Sequence, residues 1–177
     1  MTPRRLALVA VLLAAAPALA QRNPRMDWHE SEAGRFKVRL PGKPKAEAKE
    51  LALGTGGQSV TITTERADGP RDTVFAVTYA DYPESYRQVP AKAILDGVRD
   101  GLKGTDGKVT EDKEVFLGDG ADKLPGREFR VVAGSRTIRA RVFLKGTRLY
   151  QVMATGVGDR LPTKLVDDFF DSFELTK

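Results

Sequence analysis

The chain has 177 residues, 29 Lys plus Arg against 24 Asp plus Glu, one His and no Cys, for a net charge of +5. That composition excludes disulfides, thiolate nucleophiles, Cys-ligated zinc or iron–sulfur clusters, a lipid-anchored N-terminal Cys and any site that needs two histidines. Hydrophobic residues at 41% and charged residues at 30% are ordinary globular values, so an ordered chain of about one domain is expected.

Arg4 and Arg5 precede an uninterrupted apolar run, Leu6 to Ala16, which Pro17 closes ahead of Ala18-Leu19-Ala20. A basic start, an apolar centre and small residues at the end make a secretory signal, so residues 1–20 are expected to be a signal peptide cleaved after Ala20. The stretch is shorter than the roughly 20 apolar residues that span a bilayer, which argues against its retention as an anchor. Removing these twenty residues, with Arg4 and Arg5 and no acid among them, leaves 157 residues and a charge of +3. A chain of that length buries about 70% of its unfolded surface and needs no cross-links. The mild charge argues against a dedicated polyanion binder. Residues 21–26 read as a flexible lead, and residues 27–177 as a single α+β domain.

Arg35 to Leu40 alternates strictly, with Phe36, Val38 and Leu40 on one face and Arg35, Lys37 and Arg39 on the other. Period two marks a half-buried strand. Pro41 to Pro44 ends it. Lys49 to Leu53 and the β-branched Ser59 to Glu65 read as a hairpin around Gly54 to Gly57. Thr73 to Tyr79 is apolar on both faces and is expected at a central, doubly covered position. Ala91, Ile94, Leu95, Val98 and Leu102 then fall at helical spacing, which predicts a helix over Pro90 to Lys103. Its internal Gly97 and Gly101 are expected to allow close packing on a sheet. Four more strands follow: Val109 to Leu117, Arg127 to Val132, Thr137 to Leu144 and Arg148 to Thr155. The connections at Gly134 and Gly146 are short enough to force antiparallel neighbours. A last helix is expected after an Asp159 cap, with Pro162 in its first turn and Leu165, Val166, Phe169, Phe170 and Phe173 as its core stripe. The sum is an α+β fold, a central twisted antiparallel sheet of about seven strands with helices on both faces.

Chemistry-bearing patterns are sparse. His29 stands beside Asp27 and Glu30, but adjacent strand residues face opposite ways, so a surface position on the first strand is expected. The serines after residue 20 lack a nucleophile elbow. Gly54 to Gly57 fits neither a P-loop nor a dinucleotide fingerprint. Asp119 and Asp122 offer too few oxygens for a calcium loop. Asp167, Asp168 and Asp171 read as the solvated face of the last helix. No catalytic residue, metal site or cofactor is assigned. The remaining signal is basic: Arg136, Arg139, Arg141 and Arg148 crowd two neighbouring strands. If the first strand lies beside them, Arg35, Lys37, Arg39, Arg139 and Arg141 would line one exposed face. Such a face would suit a protein or an anionic envelope component. Sparse stacking aromatics and export both oppose nucleic acid.

Five segments in order resemble a known group: Arg35 to Pro44 (RFKVRLPGKP), Thr78 to Pro83 (TYADYP), Leu124 to Glu128 (LPGRE), Arg148 to Val152 (RLYQV) and Phe169 to Phe173 (FFDSF). Together they resemble small exported bacterial proteins of uncharacterised function, which are similar to the PsbP-like α/β/α sandwich superfamily. The resemblance implies a central antiparallel sheet between helices. It carries no catalytic residues, because relatives on that fold include photosystem assembly subunits, small-GTPase binders and envelope lipoproteins. The sequence-level expectation is therefore a non-catalytic periplasmic or secreted domain that binds a partner through a sheet face or loops. Two alternatives are a carboxylate- or Tyr-dependent hydrolase or lyase using Asp81 and Tyr82, and a carrier of lipid or another hydrophobic ligand.

Overall fold

The alternating segments become strands, and the 3.6-residue patterns become helices. A computed structural model describes residues 24–53, 58–120, 123–158 and 160–176. The expected signal peptide, the lead up to residue 23, the Gly54 to Gly57 turn, Asp122 and the Asp159 cap lie outside the described residues. The elements run β1 (Asp27–Ser31), β2 (Phe36–Leu40), β3 (Lys45–Leu53), β4 (Gln58–Asp68), β5 (Val74–Asp81), α1 (Ala91–Lys103), β6 (Lys108–Leu117), β7 (Leu124–Ala133), β8 (Arg136–Lys145), β9 (Arg148–Val157), α2 (Thr163–Asp171) and β10 (Glu174–Leu175). None of these helices is long and apolar enough to cross a membrane.

Seven strands form one antiparallel sheet in the order β3-β4-β5-β9-β8-β7-β6. Two-residue turns join β7 to β8 and β8 to β9, with Gly134 and Gly146 at positive φ, where a side chain would be strained. The strand expected first is not part of this sheet. It pairs with β1 on one edge and with the two-residue β10 on the other, making a separate three-stranded sheet.

Alternation along β8 sorts the core. Val142 belongs to a cluster with Leu95 of α1, Phe129, Val131 and Leu149. Its neighbour Phe143 belongs to a larger cluster with Phe75, Val77, Tyr150, Phe169 and Phe173. Consecutive strand residues face opposite sides, so α1 and α2 lie against opposite faces of the large sheet. Cover on the α2 side is largely sheet: Phe36, Val38 and Leu40 of β2 are fully buried in the same cluster.

Three local expectations are corrected. Pro162 occupies the cap of α2 instead of its first turn, and Phe173 lies beyond the helix, stacked on Phe143 at 6.2 Å between ring centroids. Pro125 and Gly126, expected in a loop, extend β7; a Cβ at Gly126 would come within 2.4 Å of the Val142 carbonyl oxygen, so only glycine fits. Gly97 and Gly101 do not mediate close packing. Beyond the helix's own backbone and the chain neighbours, no atom lies within 4 Å of where their Cβ atoms would be, and both line an open groove.

Candidate functional site

Pairing decides which of the expected basic residues can meet. β2 contacts only β1 and β10 within its sheet, so Arg35, Lys37 and Arg39 do not lie beside Arg139 and Arg141, and no common strip forms. Lys37 and Arg39 stand on the outer face of the small sheet, 5.2 and 4.7 Å from the ring centre of Trp28, and Lys37 also pairs with Glu174 at 2.8 Å. Arg35 precedes the strand, in the turn between β1 and β2.

Arg139 and Arg141 do share a face of β8, but that face turns toward α2. Arg139 donates to Glu128 Oε1 and to Asp167 Oδ1, each at 2.8 Å. Arg141 donates to Glu128 Oε2 and to Asp171 Oδ1, again at 2.8 Å. Lys113 approaches Glu128 at 3.4 Å. Both guanidinium groups lie over the Phe170 ring, at 5.3 and 5.0 Å. The Glu128 side chain is 3% exposed, and those of Arg139 and Arg141 are 12% and 22% exposed. Burial alone would raise the Glu128 carboxyl; the hydrogen bonds from Arg139 and Arg141 outweigh it and hold the group below its ordinary range. Three cations thus meet three carboxylates. Asp167 and Asp171, expected on a solvated face, are two of them. Alternation correctly paired the two arginines but could not tell which side of the sheet was covered.

His29 also turns inward. Its Nε2 lies 2.5 Å from Glu65 Oε2, and Ser31 donates to Glu65 Oε1 at 2.5 Å. The Gly34 amide donates to Ser31 Oγ at 3.0 Å. Glu65 sits on β4, so this cluster joins the two sheets. Its carboxylate bonds both partners at once, whereas a nucleophilic triad needs the serine on the histidine. Neither Asp27 nor Glu30 takes part.

The remaining cluster lies at one end of the large sheet, where β5 ends, the β8–β9 turn projects and the β1–β2 turn comes down on it. A cavity of about 320 Å3 there is lined by Arg35, Arg87, Lys145, Thr147 and Arg148, with Asp81 the only carboxylate among its lining residues. Arg148 Nε donates to Asp81 at 2.6 Å, with a second contact from Nη2. The hydrogen bond from Arg148 holds the Asp81 carboxyl below its ordinary range. A catalytic acid needs the opposite shift. The Tyr82 ring packs at a tilt against Tyr86, 4.9 Å between centroids, and burial pushes its hydroxyl up in pKa. Arg148 was legible among the crowded arginines. Arg87 and Lys145 carry no sequence signal beyond their charge.

No protein-family model and no curated protein matches the chain. Among solved structures, that of cyanobacterial PsbP (CyanoP) from Synechocystis sp. PCC 6803, determined in solution, aligns with 92% of this chain and 98% of its own, with a TM-score of 0.52 and 15% identity. The fold is PsbP-like. Identity at that level carries the architecture alone, as the five resembling segments implied, and transfers no site residue.

Proposed function

We propose that the protein is a non-catalytic exported domain that binds an anionic partner, a protein or an envelope component, at the cationic end of its large sheet. One observation carries this reading: the Glu128 cluster is neutralised internally, whereas the end cavity gathers four cations around one carboxylate. A PsbP-like fold suits a non-catalytic domain in general, and Asp81 is held ionised, away from what acid catalysis requires. The reading moves the partner from the expected sheet face to the loops. The test is a photo-crosslinker at Thr147, an uncharged residue lining the same cavity, in the full-length protein, with Lys49 on the exposed edge strand β3 as control. An adduct specific to position 147 and lost on Arg35→Glu is expected. Identical adducts from both positions, or none from 147, would overturn it.

A second reading, carriage of a hydrophobic ligand, is favoured by the groove beside α1. It measures about 450 Å3, and Leu51, Val89, Ile94, Gly97 and Gly101 line it. Two helix-interior glycines that face open space cost about 1 kcal/mol each without an internal return. A fluorescent fatty acid that binds the wild type and is expelled by Gly97→Leu would move the conclusion to this reading.

A further inference from the structure

The turn from Glu32 to Arg35 combines two features that simple sheet docking does not require. The first is its backbone. Arg35 adopts φ 53°, a left-handed conformation that favours glycine. The turn does hold a glycine, but at position 34, where a Cβ would fall 2.4 Å from the Phe36 ring and 2.7 Å from Ser31 Oγ. Glycine is thus used for space at 34, and an arginine carries the strain at 35. Non-glycine residues held in such conformations cluster at functional sites; Arg71 and Asp72 share the feature, and Arg35 is set apart from them by lining a cavity as well.

The second feature is how firmly the turn is held. Arg148 Nη1 donates to the Ala33 carbonyl at 3.0 Å, the Tyr150 hydroxyl donates to the Gly34 carbonyl at 3.0 Å, and the Thr176 amide donates to the Arg35 carbonyl at 2.9 Å. Two segments distant in sequence, β9 and the residue after β10, therefore fix the backbone of the turn, and Arg35 lines the end cavity. Lys145, which also lines the cavity, leads into the β8–β9 turn, whose Gly146 has φ 64°. Arg148 is occupied by Asp81, and Arg87 by Glu84. Arg35 and Lys145 have no salt bridge of their own among the described residues, and Asp81, bonded to Arg148, feels the Arg35 charge only at longer range, which leaves two cations without salt bridges lining one cavity.

We infer that this cavity is a preorganised receptor for a dianionic phosphate monoester, gripped between Arg35 and Lys145. The inference rests on the proposed anionic-partner reading and names its chemistry. Two cations without salt bridges match the charge of a monoester, whose second ionisation lies near pH 6, better than that of a single carboxylate. A guanidinium fork paired with a compact ammonium suits phosphoryl oxygens. Fixing the backbone beforehand lowers the ordering cost of binding. The source is either a free ester or the headgroup of a lipid such as phosphatidate.

Titration of the full-length protein by NMR, with glycerol 3-phosphate in one arm and phosphatidate vesicles in the other, tests this. Glycerol and phosphatidylcholine vesicles are the neutral controls. Arg35→Gly and Lys145→Gln are each expected to weaken binding at least tenfold. Arg35→Gly should do so with an unchanged or higher melting temperature, which separates lost binding from lost folding. Binding in the soluble arm assigns a free ester, and binding only in the vesicle arm assigns a headgroup; either supports the inference. No monoester binding in either arm, or affinity indifferent to both variants, would overturn it. If the partner crosslinked from position 147 persists while no monoester binds, this inference fails and the broader binding reading survives.

Discussion

The Glu128 cluster and the end cavity are built from the same side chains and behave as opposites. Under α2, Arg139 and Arg141 arrive with their counterions: Glu128 on the neighbouring strand, and Asp167 and Asp171 one helical turn apart. Those bonds hold β8 to β7 through Glu128 and helix to sheet through Asp167 and Asp171. At the sheet end, Arg35 from the β1–β2 turn and Lys145 from the end of β8 line a cavity whose one lining carboxylate, Asp81, is already engaged by Arg148. An arginine is thus structural or available according to what its neighbours on adjacent elements supply, and not according to its own position in the strand pattern.

Replacing Glu128 probes this contrast most harshly. Glu128→Ala strands two arginines beneath α2, and removing one partner from a buried ionic cluster costs about 3 kcal/mol. Urea unfolding at neutral pH reads that loss. The same group sets an acid limit. Its folded pKa is depressed, so its contribution is complete above the ordinary value of 4.5 and disappears as pH falls through the lower folded value. Thermal melts of the wild type should therefore drop on acidification below pH 4.5, and Glu128→Gln should flatten that drop. A variant as stable as the wild type would erase the distinction between the two clusters.

His29→Ala comes next, because it leaves the buried Glu65 carboxylate with Ser31 alone; a loss of about 1–2 kcal/mol in chemical denaturation is expected. At the cavity the sign reverses. Arg35→Gly relieves a left-handed backbone and should raise stability by about 1 kcal/mol in the same assay. A site that is stabilised when its side chain is removed differs in kind from one that collapses. Lys145→Gln should shift the unfolding midpoint least, by under about 0.5 kcal/mol, as suits an exposed turn.

Local pattern carried a large share of the architecture into view. The alternation of Thr137 to Leu144, the short turns at Gly134 and Gly146, and the α1 spacing all became the elements they suggested. Partnership between distant segments did not show. β2 and β8 alternate alike, yet one closes a three-stranded sheet and the other lies inside a seven-stranded one. His29 finds Glu65 from 36 residues away, not the acids beside it. The arginine pair on β8 was read correctly as sharing a face, but the acids that claim it come from β7 and α2. Nothing within the strand itself announces which side a helix will cover.

The three-stranded sheet joins residues 27–40 to residues 174–175. A polypeptide made in order, residue 27 before residue 174, must carry its β1–β2 hairpin without the third strand until residues 174–175 appear. A lone hairpin is marginal in water, and until then Phe36, Val38 and Leu40 would lack the cover of Phe169, Phe170 and Phe173. What holds the hairpin meanwhile is the body of the large sheet, through Glu65, Arg148 and Tyr150. A nascent chain stalled before α2 would therefore offer proteases a half-covered hairpin as well as a missing tail.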